Sequence, residues 1–277
     1  MLQAWDRFVN LLRRLVLVLA LFIVLVYAGA VGYMYFNQRA LQYFPQGEVT
    51  PLETTGLADT EEVSIPVGED IVHGWYQAPR PGRPIIVYFK GNSGSFSDEY
   101  ERYARFVAEG YGFLAFDYRG FPASPGEITE AHILADALAA YDWAASKGAP
   151  LLIWGRSLGT GPATYVASQR EAKALLLETP FLSAVTVAAE RYPILPVQWV
   201  MQDQFRSDLW IRDVTKPVLV AHGTGDTIIE VSNGERLHAL AANPDELWIV
   251  PGAGHSDLWD ADIWSHAKSF FDRALTN

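Results

Sequence analysis

A serine flanked by two glycines is the feature of this sequence that points most directly to chemistry. Ser157 is the centre of the sequence GRSLG (155–159), which follows an apolar run and precedes a helix-compatible segment at 162–170. A strand, then Gly-x-Ser-x-Gly, then a helix is the context of a nucleophile elbow, a strained turn that exposes the serine hydroxyl. The start of a helix also favours a developing negative charge. The pattern predicts a nucleophile at Ser157, although the same five residues also occur in ordinary loops.

Two downstream residues have the types that would activate this serine. A serine hydroxyl needs a base to remove its proton and an acid to orient that base. His255 ends the glycine-rich sequence PGAGH (251–255), and Asp226 ends the sequence HGTGD (222–226); each sequence follows an apolar run. Either residue alone is compatible with an ordinary loop. Together, a strand before each and the order Ser, Asp, His predict that Ser157, Asp226 and His255 meet at one edge of a sheet.

These motifs resemble those of the α/β-hydrolase superfamily, and within it the membrane-anchored serine hydrolases of the abhydrolase-domain group. The resemblance runs from about Val63 to the C-terminus, and it implies a catalytic triad of Ser157, Asp226 and His255 with no cofactor. It also implies an α/β fold with a mostly parallel sheet and helices on both faces. It rests on these motifs: GNSG (91–94), DYRG (117–120), GRSLG (155–159), LETPF (177–181), HGxxD (222–226) and GxGH (252–255).

An enzyme of this kind needs two N–H donors for the oxyanion. The backbone N–H of Leu158, next to the nucleophile, is expected to be one of them. The resemblance places the second at Asn92, with Ser93 as the alternative. Lys90 stands where the family usually has histidine, and Pro122 stands where it often has glycine, so the course of these two loops is left open.

Composition excludes several functional classes. The chain has no cysteine, which excludes disulfides, cysteine nucleophiles and thiolate metal sites but leaves the compartment open. Its net charge is −11, and beyond residue 14 it carries 18 basic and 31 acidic residues, which argues against nucleic acid as a partner. His222 has no second histidine or cysteine at ligand spacing, so no metal site is expected there.

The N-terminus has the composition of a membrane anchor. Residues 15–36 form a run of 22 residues without a formal charge, and about 20 residues span a bilayer core. Arg7, Arg13 and Arg14 precede this run, which predicts a cytoplasmic N-terminus and an extracytoplasmic hydrolase. The alternative is a signal peptide cleaved after the sequence AGA (28–30), which would leave a secreted or periplasmic protein.

The rest of the chain divides into a linker and one domain. We expect a short N-terminal segment at 1–14, the anchor at 15–36, a linker at 37–60 and the hydrolase domain at 61–277. Apolar strands alternate with helical segments in this domain, which predicts a mostly parallel sheet. The expected strands are 63–67, 71–77, 85–89, 112–116, 151–154, 174–177, 218–221 and 247–250. The expected helices are 98–109, 128–147, 157–169, 231–241 and 261–275.

An insertion at 183–212 predicts a small cap over the site. It combines apolar and aromatic residues with prolines, and we expect Trp199 and Phe205 to line an acyl pocket within it; the alternative is that these side chains only pack on the domain. Lids on this fold control substrate access. The favoured function is therefore a membrane-anchored serine hydrolase that cleaves an ester, thioester or amide of a small or lipid-like acyl substrate. A serine peptidase and, in another class, a non-catalytic binding protein are the alternatives, and the oligomeric state is left open.

Overall fold

An eight-stranded sheet forms the centre of the computed structural model, which describes residues 2–276. The strand order is β1-β2-β4-β3-β5-β6-β7-β8; β2 is antiparallel to both of its neighbours, β1 and β4, and the remaining neighbours are parallel. The predicted mostly parallel α/β fold is thus confirmed. The strands are β1 (Glu61–Val67), β2 (Asp70–Gln77), β3 (Ile85–Phe89), β4 (Gly112–Phe116), β5 (Leu151–Arg156), β6 (Leu175–Glu178), β7 (Val218–Gly223) and β8 (Pro244–Val250).

Helices cover both faces of the sheet because its central strands are apolar on both sides. In β3, Ile85, Val87 and Phe89 belong to one buried cluster, and Ile86 and Tyr88 belong to the other. Parallel strands buried on both faces have this composition. Helices α3, α4 and α8 pack on the first face, and α2 and α9 pack on the second. Their bounds are α2 (Tyr100–Ala108), α3 (Glu130–Ala145), α4 (Thr160–Gln169), α8 (Val231–Leu240) and α9 (Ile263–Thr276).

The N-terminal helix α1 extends from Leu2 to Gln42. Its apolar part is long enough to cross a membrane, with a mean hydropathy of 2.8 in its most apolar window, none of which is buried against the domain. The helix does not end with the apolar run at residue 36, so the linker expected at 37–60 begins too early. Gln38 and Gln42 are helical, and their side chains donate to carbonyl oxygens of the cap.

The expected cap is an excursion of short helices after β6. It consists of α5 (Ala184–Arg191), α6 (Val197–Val200), α7 (Ser207–Trp210) and a 3-10 turn at Ile211–Asp213. Ser183 caps α5 through a hydrogen bond from the Thr186 N–H to its hydroxyl. The prolines at 193 and 196 separate α5 from α6, since proline lacks the N–H that a helix interior requires. The cap follows the carboxyl end of β6 and is bonded to the end of α1 through Gln38 and Gln42.

Candidate active site

Ser157 lies on a sharp turn between β5 and α4. Its φ is +51°, in the left-handed region that residues with side chains rarely adopt. The glycines on either side make the turn possible: a Cβ on Gly155 would lie 2.6 Å from the Cβ of Ala163, and a Cβ on Gly159 would collide with the carbonyl of Phe89. The sequence thus forms the strained strand–turn–helix that was expected of a nucleophile elbow.

The structure brings Ser157, His255 and Asp226 together. The Oγ of Ser157 lies 2.8 Å from Nε2 of His255, and Nδ1 of His255 lies 2.7 Å from Oδ2 of Asp226. These three residues are separated by up to 98 positions in the chain, and each follows a parallel strand: β5, β7 and β8. Their loops meet because the carboxyl ends of parallel strands share one edge of the sheet.

The hydrogen bonds determine which histidine nitrogen carries the proton. An ionised Asp226 is an acceptor, so Nδ1 of His255 must donate to it, and Nε2 is left free to accept the Ser157 hydroxyl. Burial alone raises the pKa of a carboxyl, but hydrogen bonds from His222, His255 and the Ile229 N–H outweigh it. They hold the pKa of Asp226 well below its usual range. The aspartate is therefore charged when the histidine requires an acceptor.

A second histidine, His222, also contacts Asp226. Its Nε2 lies 3.2 Å from Oδ2 of Asp226 and 2.9 Å from the carbonyl oxygen of Ile229. Both partners are acceptors, so Nε2 carries the proton, and the buried Nδ1 has no partner among the described residues. The N–H groups of Ile228 and Ile229 donate to Oδ1 of the same carboxylate, each at 2.9 Å. Sequence analysis did not find this role for His222.

The two expected oxyanion donors lie beside Ser157. Leu158 is in the first turn of a 3-10 helix, where N–H groups have no partner within the helix. The loop that carries Asn92 passes directly over the serine, since a Cβ on Gly91 would lie 3.7 Å from the Cβ of Ser157. The backbone N–H of Asn92 has no acceptor among the described residues. Its donor role remains a prediction.

The buried side chain of Lys90 stabilises the loop that carries Asn92. Nζ of Lys90 donates to the carbonyl of Gly94 at 2.8 Å, lies 3.5 Å from Oδ1 of Asp117 and sits over the ring of Phe121. Burial lowers the pKa of Lys90 to about 8, and the neighbouring Asp117 opposes that shift. Asp117 also accepts the N–H groups of Phe96 and Ala123. The lysine that departs from the family pattern thus supports the loop.

A buried network of charges lies beneath the elbow. Arg102 on α2 donates to both carboxylate oxygens of Glu178, at 2.8 and 3.2 Å, and Trp154 donates to one of them at 2.9 Å. Arg156, the residue before the nucleophile, lies 3.6 Å from Glu99 and 3.7 Å from Glu178. These contacts fix the ends of β5 and β6 next to Ser157. Their pairing was not predicted from the sequence.

A cavity of about 630 Å³ opens above Ser157. Its size is within the range of small-molecule sites, and its walls are mostly apolar. The cap forms one wall, and the last two turns of α1 form another. The lining residues include Met34, Gln38, Leu41, Phe44, Asn92, Ser157, Leu158, Phe181, Val187, Ala188, Tyr192, Val197, Val200, Met201 and Ile228.

Trp199 and Phe205 were expected in this wall, and that expectation was wrong. Trp199 is 89% exposed and points away from the cavity, because the short helix α6 presents Val197 and Val200 to it instead. Phe205 is fully buried and packs against the ring of Phe181 at a centroid distance of 6.5 Å. It belongs to the buried cluster on the first face of the sheet. The cap does line the cavity, but through its smaller apolar side chains.

Among residues 2–276, no group of three or more His, Cys, Asp or Glu side chains is arranged to hold a metal ion.

Comparison with known proteins identifies the family. The model of the α/β hydrolase fold family matches residues 84–209. An uncharacterized protein of Mycobacterium tuberculosis is 34% identical over 242 residues, which cover 85% of this chain and 86% of that protein. The chain belongs to the α/β-hydrolase fold family.

One similar protein is named as a lipase, and one similar solved structure is that of an esterase. The lysophosphatidylserine lipase ABHD12 of Danio rerio is 32% identical over 197 residues, covering 62% of this chain and 51% of that protein. This chain therefore spans about half the length of that relative. The solved structure of the Pyrococcus furiosus esterase Pf2001 has a TM-score of 0.68 and 20% identity, and covers 84% of this chain and 99% of that one. The resemblance to abhydrolase-domain hydrolases is confirmed.

Proposed function

We propose that this protein is a membrane-anchored serine hydrolase that cleaves an ester, thioester or amide through an acyl-enzyme. The observation that carries the proposal is the continuous hydrogen-bond chain from Ser157 through His255 to Asp226, which begins at the floor of an apolar cavity. Nucleophile and base are within hydrogen-bond reach, and a third group orients the base. Geometry of this kind is what acyl transfer requires.

The reaction would proceed in two halves. Ser157 Oγ attacks the substrate carbonyl while Nε2 of His255 takes the hydroxyl proton, and Asp226 holds the resulting imidazolium. The N–H groups of Leu158 and Asn92 donate to the oxyanion. His255 then returns the proton to the leaving group, which departs and leaves an acyl group on Ser157. Water, deprotonated by His255, attacks this ester and releases the acid, so the serine regains its hydrogen.

An ester with an apolar acyl chain is the substrate that the cavity favours. Its walls above Ser157 are aliphatic and aromatic side chains from the cap and α1. Burying a substrate methylene against such walls stabilises the complex by about 0.8 kcal/mol. The lipase named among the relatives is in keeping with a lipid-like substrate. An ester is therefore preferred over a peptide.

We further infer that α1 is retained as a single membrane span with the hydrolase domain on the extracytoplasmic side. Arg7, Arg13 and Arg14 precede the apolar run, which favours a cytoplasmic N-terminus. The hydroxyl of Tyr27 donates to the carbonyl of Ile194 in the cap at 2.9 Å. Cleavage after residue 30 would remove this contact, so it supports an uncleaved anchor.

Kinetics with p-nitrophenyl esters test the proposed chemistry. Ser157→Ala is expected to lower kcat by about 10³-fold or more because the nucleophile is lost. Ser256→Ala is the matched control: this exposed serine is adjacent to His255 and contacts Arg156, but it does not touch the triad. Wild-type turnover in a folded Ser157→Ala protein would exclude Ser157 as the nucleophile. Absence of turnover in the folded wild-type protein would instead leave the binding-protein alternative.

A further inference from the structure

The tip of the cap is an uncharged segment with apolar side chains that point outward. Residues 192–202 contain no Asp, Glu, Lys or Arg, and Arg191 and Asp203 bound the segment. Within it, Ile194 is 83% exposed and Trp199 is 89% exposed. Large apolar side chains that are grouped on an uncharged surface mark a contact with another apolar phase.

Hydrogen bonds fix this segment alongside α1. Near one end, the Tyr27 hydroxyl donates to the carbonyl of Ile194 at 2.9 Å. At the other end, the N–H of Gln202 donates to Oε1 of Gln38 at 2.7 Å. Tyr27 and Gln38 are separated by roughly 16 Å along the helix at 1.5 Å per residue. The cap segment therefore runs beside the helix and does not merely touch its end.

The position of Tyr27 sets the depth of the cap tip. Tyr27 is the thirteenth of the 22 residues in the uncharged run that follows Arg14. A hydrocarbon core takes up about 20 helical residues, so a span that starts after Arg14 ends near residue 34. Tyr27 then lies roughly 10 Å inside the hydrocarbon boundary, by the same rise per residue. The carbonyl of Ile194 lies at the same depth because it is bonded to Tyr27.

The hydrogen bond itself fits an apolar environment. In hydrocarbon, a loop carbonyl has no water to bond with, so irregular backbone is tolerated where protein groups satisfy it. The Tyr27 hydroxyl supplies that partner for Ile194. Tryptophan, the residue type at the exposed position 199, is enriched at membrane interfaces.

We propose that residues 192–202 of the cap are inserted into the leaflet on the hydrolase side, with Ile194 and Trp199 in contact with lipid. This inference rests on the proposed membrane anchoring by α1. Val197 and Val200 of the same segment line the cavity above Ser157. The cavity thus lies directly behind the inserted segment, and an acyl chain reaches it from the bilayer without crossing bulk water.

Spin labels at single cysteines test the insertion, since the chain has no native cysteine. The full-length protein is reconstituted in phosphatidylcholine–phosphatidylglycerol vesicles with Ile194→Cys or Trp199→Cys. Leu19→Cys on α1 is the lipid reference, and the exposed Ser146→Cys, at the opposite edge of the sheet, is the water reference. Power saturation compares accessibility to oxygen, which concentrates in lipid, with accessibility to a neutral nickel chelate, which remains in water.

Labels at 194 and 199 are expected to match the label at 19, with high oxygen and low nickel accessibility. If the label at 19 is in lipid while either cap label is as accessible to nickel as the label at 146, the insertion is wrong and the anchoring stands. If the label at 19 is itself in water, the anchoring fails and the insertion fails with it. Fluorophosphonate labelling of each variant reports separately whether the serine chemistry is intact.

Discussion

Asp226 is held by two histidines, and this arrangement has a consequence for acid stability. Hydrogen bonds from His222, His255 and Ile229 hold its pKa well below the usual range despite its burial. The folded pKa is thus lower than the unfolded pKa. The charged carboxylate therefore stabilises the fold above about pH 4, and this contribution is lost as the pH falls through the folded pKa.

His222 is expected to act as a positioning residue for Asp226. His222→Leu removes the donor to Oδ2, so the pKa of Asp226 rises and the buried carboxyl protonates more readily in acid. We expect kcat to fall about tenfold, in keeping with loss of one charge-assisted hydrogen bond, with KM nearly unchanged. The loss should be larger near pH 5 than near pH 8.

His222→Gln is the control for this prediction, because its amide can still donate toward Asp226. It is expected to recover most of the turnover and the wild-type pH profile. A His222→Leu enzyme with a lower melting temperature but an unaltered pH profile would mean that His222 is a structural residue alone.

The sequence motifs were enough to predict which three residues meet at the site. They were not enough to predict the side chains that hold those residues and their loops in place. Ser157, Asp226 and His255 each lie in a glycine-containing turn that follows a strand, and such a turn can be recognised from a few adjacent residues. The bond from His222 to Asp226 depends on how the loop after β7 folds back, which a local pattern does not show. Lys90 is paired across 27 positions with Asp117, and a sequence alone does not register such a contact.

At the level of elements, the end of α1 is hydrogen-bonded to the loop at 90–95, which carries Asn92 and is called the oxyanion loop below. The N–H of Phe44 donates to the carbonyl of Asn92 at 2.8 Å, and the N–H of Gly94 donates to the carbonyl of Phe44 at 3.0 Å. The side chain of Asn92 donates to the carbonyl of Gln42 at 2.9 Å. Helix α1 and the residues just after it thus contribute to the geometry of the loop that carries a proposed oxyanion donor.

Phe44→Pro is expected to disturb this loop, because proline has no N–H to donate to Asn92. We expect kcat at least about tenfold below that of Phe44→Ala, since displacing one oxyanion donor weakens binding of the transition state. Phe44→Ala removes the same side chain from the cavity wall but keeps the backbone bonds. Equal kcat values for the two variants in ester hydrolysis would show that the backbone bond from residue 44 does not maintain the geometry of the oxyanion loop.

The cap should set the preferred length of the acyl chain. Ala188 on α5 lines the cavity, and its neighbour Ala189 does not. Ala188→Phe fills part of the volume, so kcat/KM for a long-chain ester should fall by more than tenfold relative to a short-chain ester, because each excluded methylene loses about 0.8 kcal/mol.

Ala189→Phe adds the same side chain on the same helix outside the cavity and should leave the long-to-short ratio near that of the wild type. Similar ratios for both variants would show that the acyl chain binds elsewhere.

The boundaries of helices and strands were predicted well where an apolar run defined a strand. They were predicted less well where a segment contacts residues that are distant in the sequence. The strands β3 and β4 have the bounds that their apolar runs predicted. The end of α1 was missed because Gln38, Arg39 and Gln42 look like linker residues, and their contacts with the cap are not visible in the sequence. The roles of Trp199 and Phe205 were missed because size and apolarity do not tell which way a side chain in a short helix or turn points.

At the level of the whole molecule, α1, the cap and the sheet edge converge on Ser157. The helix supplies one wall of the cavity, the cap supplies the other, and the sheet presents the triad at the floor. The proposed membrane anchoring and the proposed chemistry are therefore parts of one arrangement. The central claim of the proposed function is that Ser157 is reactive in the full-length protein.

Mass spectrometry of the full-length protein after reaction with a fluorophosphonate tests that claim most directly. The proposed triad predicts one adduct on the peptide that contains Ser157 in the wild type and in Ser256→Ala. It predicts none in Ser157→Ala and much slower labelling in His255→Ala, since the histidine takes the proton of the serine. An adduct on a different residue, or a folded wild-type protein that does not react, would contradict the account.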